Sequence, residues 1–395
     1  MKENAIESIY RKLCLLSVFI GMKDREPIKG FFTYCESADF EERAKNYARF
    51  VSDIYTFGNG NLSDLVARVA YEDENIYIKS VAKGKKVTQC IEKQVQKELA
   101  ALSQFASLTT SDFAKDMGVD EEILPAFDSF NADMGALFAA RMQNIEKYGY
   151  GIFSASGMFR LSDERQIEPI VSADKIRMDS FIGYEEERAK VVANTRAFVE
   201  GRPAANTLLC GDAGTGKSST VKAVANAFFD EGVRLIELRK DQLSFLPQVM
   251  GKISGNPLKF IIFIDDLSFN QNDDNFSMLK AALEGSASAK ADNAVIYATS
   301  NRRHIIKESF GDREGDDVHR NDTLQETLSL SERFGLTVLF SKPNKQLYLE
   351  IIHQLAKRHN IQMEEKELDT LAEAFALRKG SRSARCAEQF IESLL

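Results

Sequence analysis

The stretch GDAGTGKS, residues 211–218, decides the fold of this chain. It fits the pattern GxxxxGK[ST] and lies directly between the apolar run TLLC, residues 207–210, and a helical pattern that runs to about Phe229. In such a strand–loop–helix unit the backbone amides of the loop point at phosphate groups, and the helix N-terminus adds a partial positive charge. The sequence therefore predicts a phosphate-binding loop at the edge of an α/β sheet.

The residue types in this loop have separate expected roles. Its glycines allow the backbone to turn tightly. Lys217 would reach the β- and γ-phosphates, and Ser218 would place its hydroxyl group on Mg²⁺. The residues expected to form the cradle are Gly211, Asp212, Ala213, Gly214, Thr215, Gly216, Lys217, Ser218 and Ser219.

A second apolar run, FIIFI at residues 260–264, ends in Asp265 and Asp266. A buried strand of this kind delivers carboxylates to the edge of the sheet where ligands bind. Asp265 would hold Mg²⁺, usually through water, and Asp266 occupies the place where a glutamate commonly polarises the attacking water. Aspartate is one methylene shorter, so we expect hydrolysis either to be slow or to need repositioning of this carboxylate. The alternative is a solvated acidic pair at a strand end.

Short apolar runs alternate with helical segments from residue 176 onward, which predicts a five-stranded parallel sheet with helices on both faces. The expected strands cover residues 207–210, 234–238, 260–264, 294–298 and 337–340. Three helical patterns follow, over residues 344–360, 364–377 and 381–394. We therefore expect a nucleotide-binding core at 176–341 and a helical lid at 342–395.

Residues 1–150 have mainly helical periodicity and no enzyme motif, which predicts an α-helical N-terminal domain for recognition or regulation. Expected helices cover residues 39–55, 87–105 and 126–148, with another from Phe113. The aromatic residues Phe127, Phe130 and Phe138 are expected in its core. Residues 151–175 are mixed in polarity and contain Gly and Ser, which predicts a linker or a small strand element.

Composition excludes several classes of protein. The 51 Lys and Arg residues are outnumbered by 59 Asp and Glu, giving a net charge of −8, so no chain-wide basic surface for nucleic acid is expected. Five scattered cysteines without a CxxC pair give no zinc framework and fit a reducing compartment, which favours the cytoplasm. The longest apolar run, residues 13–22, is shorter than the ~20 residues needed to span a bilayer, so no membrane span is expected.

From about residue 180 to the last residue, the sequence resembles the AAA+ ATPases. More narrowly, it is similar to the bacterial DUF815 family of proteins with a single AAA module. The motifs that carry the resemblance are NTLLCGDAGTGKSSTVKA, RLIEL, FIIFIDDLSF, LEGS, YATSNRRH and SLSERFGL. The resemblance implies a P-loop AAA+ core with a helical lid, ATP and Mg²⁺ as cofactors, and ATP hydrolysis.

The same resemblance assigns roles to residues outside the loop. It implies that Asn301 is the sensor-1 residue near the attacking water, and that Arg333 is an arginine finger that reaches the nucleotide of a neighbouring subunit. The finger would require assembly into a ring or spiral. Both Arg382 and Arg385 are available as the sensor-2 arginine of the lid, and Arg385 is favoured.

Upstream of the loop, the sequence FIGY at residues 181–184 precedes a helical pattern. The resemblance implies that this turn lines the adenine pocket, with Ile182 packing on the base and Gly183 in the turn. The alternative is an ordinary turn before a helix.

The leading functional hypothesis is an AAA+ ATPase that binds and hydrolyses ATP at subunit interfaces to remodel or move a macromolecular partner. The N-terminal domain would recognise that partner, a protein client. One alternative is a nucleotide-dependent switch or scaffold with negligible hydrolysis, since Asp266 stands in place of glutamate. Another is a DNA-associated loader-type ATPase, which the acidic composition and the absence of a basic aromatic stripe disfavour.

Overall fold

A computed structural model describes residues 5–171, 176–267, 292–301 and 333–395, together with Leu279 and Leu283. The chain divides into two compact units. The first comprises Met1–Ala155 with Gly255–Leu258, and the second comprises Ser156–Ser254 with Lys259–Leu395. Among the described residues, no helix is both long enough and apolar enough to cross a membrane.

The first unit is built from helices that bury one apolar face each. The described helices are α1 (Ala5–Cys14), α2 (Ile28–Cys35), α3 (Phe40–Gly58), α4 (Leu62–Glu72), α5 (Ile76–Ala82), α6 (Gln89–Ala106), α7 (Thr110–Met117), α8 (Met134–Met142) and α9 (Ile145–Tyr148). Rings from α2, α3, α6 and α7 meet in its core, where Phe31 lies 4.9 Å from Phe105 between ring centroids. The helical character predicted for this part of the chain is confirmed.

One helix predicted in this unit is wrong in extent. The pattern predicted a single helix over residues 126–148, but helix α8 begins only at Met134. The preceding backbone is extended because Asp128 pairs with the turn before α4, donating its N–H to the Gly60 carbonyl oxygen at 2.8 Å. Phe130, expected in the core, is 45% exposed, whereas Phe138 is buried.

A buried carboxylate, that of Glu98 on α6, organises the loop after α1. Its side chain accepts hydrogen bonds from the backbone N–H groups of Ser17, Val18 and Phe19 and from the Ser17 hydroxyl group, at distances of 2.7–3.1 Å. Burial opposes its ionisation, but these bonds outweigh burial and lower the pKa of Glu98. These hydrogen bonds therefore have a structural role in the first unit, where they hold the loop after α1 against α6.

The second unit contains a seven-stranded sheet whose strands, in chain order, are β1 (Met158–Leu161), β2 (Ile167–Pro169), β3 (Thr207–Gly211), β4 (Val233–Leu238), β5 (Lys259–Ile264), β6 (Ala294–Ser300) and β7 (Leu336–Phe340). Their order across the sheet is β2-β1-β4-β5-β6-β3-β7. Only the β1–β2 pair is antiparallel. The non-sequential order brings β3 between β6 and β7, at the point where phosphate-binding loops commonly lie.

The predicted fold class is confirmed, with one difference in strand number. All five predicted strands are present and parallel. Strands β1 and β2 extend the sheet by two, within the stretch that was predicted to be a linker or a small strand element. The sequence left these two alternatives open because the strands are three or four residues long and because the charged residues Arg160 and Glu168 interrupt their apolar character.

Helices cover the sheet and then form a separate cluster at the C-terminus. The sheet is accompanied by α10 (Glu185–Val199), α11 (Lys217–Ala227) and α12 (Leu246–Ile253). The predicted lid helices are α13 (Lys345–Arg358), α14 (Glu365–Lys379) and α15 (Ala384–Glu392). They bury a core of their own that includes Tyr348, Ile352 and Phe390. Ile182, from the turn before α10, packs into the same core.

Candidate nucleotide site

The loop between β3 and α11 has the backbone shape that the sequence predicts. Gly214 and Gly216 have φ values of 75° and 87°, which glycine adopts without strain. Gly211 has a φ of 133°, and a Cβ atom there would lie 2.0 Å from the carbonyl oxygen of Phe340 on β7. Helix α11 has no side-chain cap at its N-terminus. The first backbone amide groups of α11 therefore have no side-chain cap, and the loop has a shape suited to binding an anion.

Lys217 is the first residue of α11 and is only 5% exposed. Its Nζ atom donates hydrogen bonds to the carbonyl oxygens of Gly211 at 3.1 Å and Asp212 at 2.7 Å. Burial lowers the pKa of the Lys217 ammonium group from its ordinary value. The loop thus holds a partly desolvated cation, which would interact more strongly with phosphate than an exposed lysine.

Ser218, on helix α11, and Asp265, which directly follows strand β5, meet beside the loop. The Ser218 hydroxyl group donates to Oδ1 of Asp265 at 2.6 Å. Thr299, on β6, donates through Oγ1 to the same carboxylate oxygen and accepts the N–H of Asp266 at 3.0 Å. Three neighbouring elements, α11, β5 and β6, therefore fix the orientation of Asp265.

Asp266 and Asn301 form a second polar pair at the same edge of the sheet. Nδ2 of Asn301 donates to Oδ1 of Asp266 at 2.8 Å. Asp266 has a φ of 50°, in the left-handed region that is uncommon for residues other than glycine. This conformation is held by hydrogen bonds from its N–H to Thr299 and to Oδ1 of Asp265. The strained turn directs the two carboxylates to different partners.

A cavity of about 110 Å³ lies between the loop, the turn before α10 and the lid. Its lining residues are Ser180, Phe181, Ile182, Arg188, Gly214, Thr215, Gly216, Ser219, Ile351, Leu355, Ala384, Arg385 and Glu388. Gly183 itself has a φ of 70°, and a Cβ atom there would lie 2.7 Å from Cδ1 of Leu347 on α13. The turn therefore needs glycine because the lid packs directly against it.

The two candidate arginines of the lid have different environments. Arg385 lines the cavity, and its backbone N–H donates to the carbonyl oxygen of Gly214 in the loop at 3.2 Å. Arg382 instead forms a two-pronged ion pair with Glu373 on α14, at 3.0 and 2.7 Å. Of the two, only Arg385 is in contact with the phosphate-binding loop among the contacts of the described residues.

Arg333 lies at the opposite edge of the sheet. It precedes β7, whose first residue, Leu336, is paired with Thr207 at the start of β3, whereas the loop follows the end of β3. Five residues of strand, roughly 16 Å, separate the two edges. The structure does not bring Arg333 together with Lys217, Asp265 and Asn301.

Sequence reasoning missed several residues of the site, among them Thr299, Arg188 and Glu388. Thr299 carried a usable signal, since it lies two residues before Asn301, and side chains two apart on a strand share a face. Arg188 and Glu388 carried none. Each is one of several charged residues on or beside its helix, and only the folded chain brings both to the cavity.

The donor atoms at this edge fit Mg²⁺. Mg²⁺ prefers oxygen ligands, and it is commonly held by one or two carboxylates together with phosphates and water. Ser218 and Asp265 supply a hydroxyl and a carboxylate in direct contact. Within the described part of the chain there is no cluster of three or more His, Cys, Asp or Glu residues suited to a metal. Ser218 and Asp265 are the residues that could hold Mg²⁺ together with phosphate and water.

Two of the similar solved structures are of one protein from Thermotoga maritima. The chain is 13% identical to the Thermotoga maritima RuvB Holliday junction branch migration motor, with a TM-score of 0.34, over 55% of this chain and 72% of that one. A variant of the same Thermotoga maritima protein is 16% identical over the same shares, with a TM-score of 0.35. At these values the likeness carries no argument about this chain.

The comparison with known families is more informative. No curated protein matches the chain. The model of the family described as "Protein of unknown function (DUF815)" matches residues 154–395, which is more than half of the chain and includes the loop, both carboxylates, Asn301 and the lid. The chain belongs to the DUF815 family.

Proposed function

We propose that this protein is an AAA+ ATPase that binds ATP with Mg²⁺ and hydrolyses its γ-phosphate. The observation that carries the proposal is the meeting of the loop with two paired polar groups, Ser218 with Asp265 and Asn301 with Asp266, at one edge of the sheet. A phosphate cradle alone binds anions. A cradle next to a metal-ligand pair and a carboxylate–amide pair can also activate water.

Ser218 and Asp265 would hold Mg²⁺, and the metal would supply neutralisation of charge on the phosphates. The chain orients one of these two ligands in advance. Thr299 and Ser218 both bond to Oδ1 of Asp265, so this carboxylate is oriented before any ligand arrives. Pre-orientation of a ligand side chain lowers the cost of binding.

Asp266 would accept a proton from, or orient, the attacking water, and Asn301 would hold the carboxylate in position. Asn301 keeps its amide oxygen as an acceptor while Nδ2 donates to Asp266. It can therefore contact Asp266 and water at the same time. This arrangement supports a joint role for the Asp266 carboxylate and the Asn301 amide beside the γ-phosphate.

The position of Arg333 supports action between subunits. An arginine at the far edge of the sheet is too distant for the site of its own chain, but it can reach the site of a neighbour in a ring or spiral. Assembly of this kind would place each ATP at a subunit interface. We further propose that the first unit recognises a protein client, which hydrolysis remodels or moves.

A second candidate function is a nucleotide-dependent switch with negligible hydrolysis. One observation favours it: Asp266 has a shorter side chain than the glutamate that commonly fills this role, and its carboxylate already bonds to Asn301. In this case ATP would bind and assemble the protein without turnover.

Steady-state release of phosphate from ATP with Mg²⁺ separates the two candidates. We expect release from the wild-type protein that rises with protein concentration, and none from Lys217→Ala. Tight ATP binding with no phosphate release that depends on Lys217 would support the switch and contradict the proposal of an enzyme. A Lys222→Ala variant is the control. Lys222 lies on the same helix as Lys217, but its ammonium group approaches Glu237 at 3.9 Å and is not part of the loop.

A further inference from the structure

A buried guanidinium group lies in the cavity between the turn before α10 and the phosphate-binding loop. It belongs to Arg188, on the first turns of α10, which is only 7% exposed. Nη2 of Arg188 lies 3.9 Å from the position of a Cβ atom on Gly216, which belongs to the loop. Arg188 was not recognised in the sequence, and no motif of the chain assigns it a role.

The neighbours of Arg188 use only part of its hydrogen-bonding capacity. Nη1 donates to the carbonyl oxygen of Gly183, and the guanidinium carbon lies 4.3 Å from the ring centroid of Phe181. Nε has no hydrogen-bond partner within the described ranges. A guanidinium group has five N–H donors, so the Gly183 carbonyl accounts for one of them.

The burial of this charge is costly. Desolvation is the largest cause that lowers the pKa of Arg188, to about 10, so the group remains a cation at neutral pH. The carboxylates of Glu185 and Glu187 raise the pKa of Arg188, but by less than burial lowers it, and neither forms a close ion pair with Arg188 in the described part of the chain. A buried cation with an unsatisfied donor is expensive unless a further partner is present for part of the functional cycle.

We propose that Arg188 is a nucleotide-binding residue that contacts the α-phosphate. The proposal rests on the function proposed above. A phosphate is the ligand that best fits the group, because guanidinium and phosphate match in charge and in planar two-pronged geometry.

The position of Arg188 along the cavity selects the phosphate. Ile182 lines the cavity from the turn before α10, where the base would pack, and Gly216 lines it from the loop, next in the chain to Lys217, which would bind the β- and γ-phosphates. Arg188 shares the cavity with Gly216 and with Ser219, the third residue of α11. The ribose and the α-phosphate lie between the base and the β-phosphate on this path, and of these two groups only the α-phosphate carries the negative charge that matches a guanidinium group.

This contact has a consequence for specificity. ATP, ADP and AMP all carry an α-phosphate, and adenosine does not. Arg188 therefore retains the nucleotide after hydrolysis, unlike a residue that senses only the γ-phosphate. Arg188 also donates a hydrogen bond to the Gly183 carbonyl oxygen. An α-phosphate bound to Arg188 would therefore be linked, through this residue, to the turn that packs on the lid.

Competition binding against a fluorescent ADP analogue tests the contact with four competitors: ATP, ADP, AMP and adenosine. The variants are Arg188→Met, which keeps an apolar stem, and Arg188→Lys, which keeps the charge. For Arg188→Met we expect affinity for ATP, ADP and AMP to fall roughly 10- to 100-fold, with adenosine unchanged. Arg188→Lys recovers part of this loss because a point charge still reaches phosphate.

The matched control is Arg196→Met on the same helix, where an exposed arginine pairs with Glu231. It should bind all four competitors as the wild type does. Wild-type affinity of Arg188→Met for ADP would overturn the proposal, and so would an equal loss for adenosine, which indicates that Arg188 only shapes the turn. If Arg188→Met does not fold, Arg188→Lys decides by the same comparison of AMP with adenosine. Absence of ATP binding to the wild type would instead refute the proposed function.

Discussion

Asn301 donates a hydrogen bond through Nδ2 to Oδ1 of Asp266 at 2.8 Å, across the ends of two neighbouring parallel strands. The bond joins the residue that would position water to the carboxylate that would activate it. Because Asp266 is held in a left-handed conformation by Thr299 as well, the pair is a built feature of the sheet edge and not a chance surface contact.

Removal of the amide should reduce turnover without loss of binding. For Asn301→Ala we expect turnover to fall roughly 100-fold, since a group that orients the reacting water acts mainly in the transition state. The dissociation constant for ATP should change only a few-fold. Parallel kinetics and binding titrations check this. A loss of affinity that equals the loss of turnover would mean that Asn301 shapes the pocket and does not act on water.

The loop lysine should control binding itself. In Lys217→Ala, affinity for ATP should fall roughly 100-fold or more, because a desolvated cation in contact with phosphate is lost. Isothermal titration with ATP and Mg²⁺ measures the effect, with Lys222→Ala as the matched control on α11. Unchanged affinity in Lys217→Ala would show that phosphates bind elsewhere.

The two lid arginines should differ in effect. Arg385→Ala should reduce the preference for ATP over ADP, because Arg385 is the lid arginine that lines the cavity. Arg382→Ala breaks a partly buried pair with Glu373 outside the cavity and should leave the preference unchanged. The ratio of the two dissociation constants is the measurement. An effect confined to Arg382→Ala would reverse the assignment of sensor 2.

Arg333 should matter only in the assembled protein. For Arg333→Ala we expect ATP affinity near that of the wild type and turnover lower by roughly 10³-fold. Mixed assemblies provide the sharper test. Arg333→Ala subunits, which keep Asp266, should regain turnover when mixed with Asp266→Asn subunits, which keep Arg333. Failure of every mixture to recover activity, with assembly intact, would contradict action between subunits.

Glu98 should make the stability of the first unit depend on pH. Its pKa is lower in the folded than in the unfolded chain, so its contribution is present above the unfolded value of about 4.3 and is lost as pH falls through the folded value. Glu98→Gln should reduce stability at neutral pH by about 1–3 kcal/mol and flatten the dependence on acid. Denaturant unfolding from pH 7 to 3 measures both. An equally steep acid dependence in the variant would assign it to other carboxylates.

The sequence predicted strands β3 to β7 and the three C-terminal helices because each is a regular pattern with a clear boundary. It also predicted the residues of the loop and the ends of β5 and β6, since chemistry there follows strand ends directly. It did not predict Arg188, which reads as one of several charged residues on α10 and becomes distinct only when packing buries it. The irregular segment before α8 was missed because its partner, the turn at Gly60, is distant in sequence.

The choice between Arg382 and Arg385 illustrates the same limit at the level of single residues. Both lie at the start of the third lid helix, so spacing alone leaves them equivalent. Glu373, on the preceding helix, pairs with Arg382 and leaves Arg385 towards the loop. A tertiary ion pair therefore separates two residues that the sequence cannot.

A single-turnover experiment with ATP labelled at the γ-phosphate tests the central claim most directly. Wild-type protein and Asp266→Asn are each assembled with limiting ATP and Mg²⁺, and the bound nucleotide is analysed over time. The exposed Asp292, at the opposite end of β6, gives the charge-matched control Asp292→Asn. We predict conversion of bound ATP to ADP in the wild type and in Asp292→Asn, and retention of ATP in Asp266→Asn. Equal conversion in all three proteins, or intact ATP in the wild type, would contradict this account.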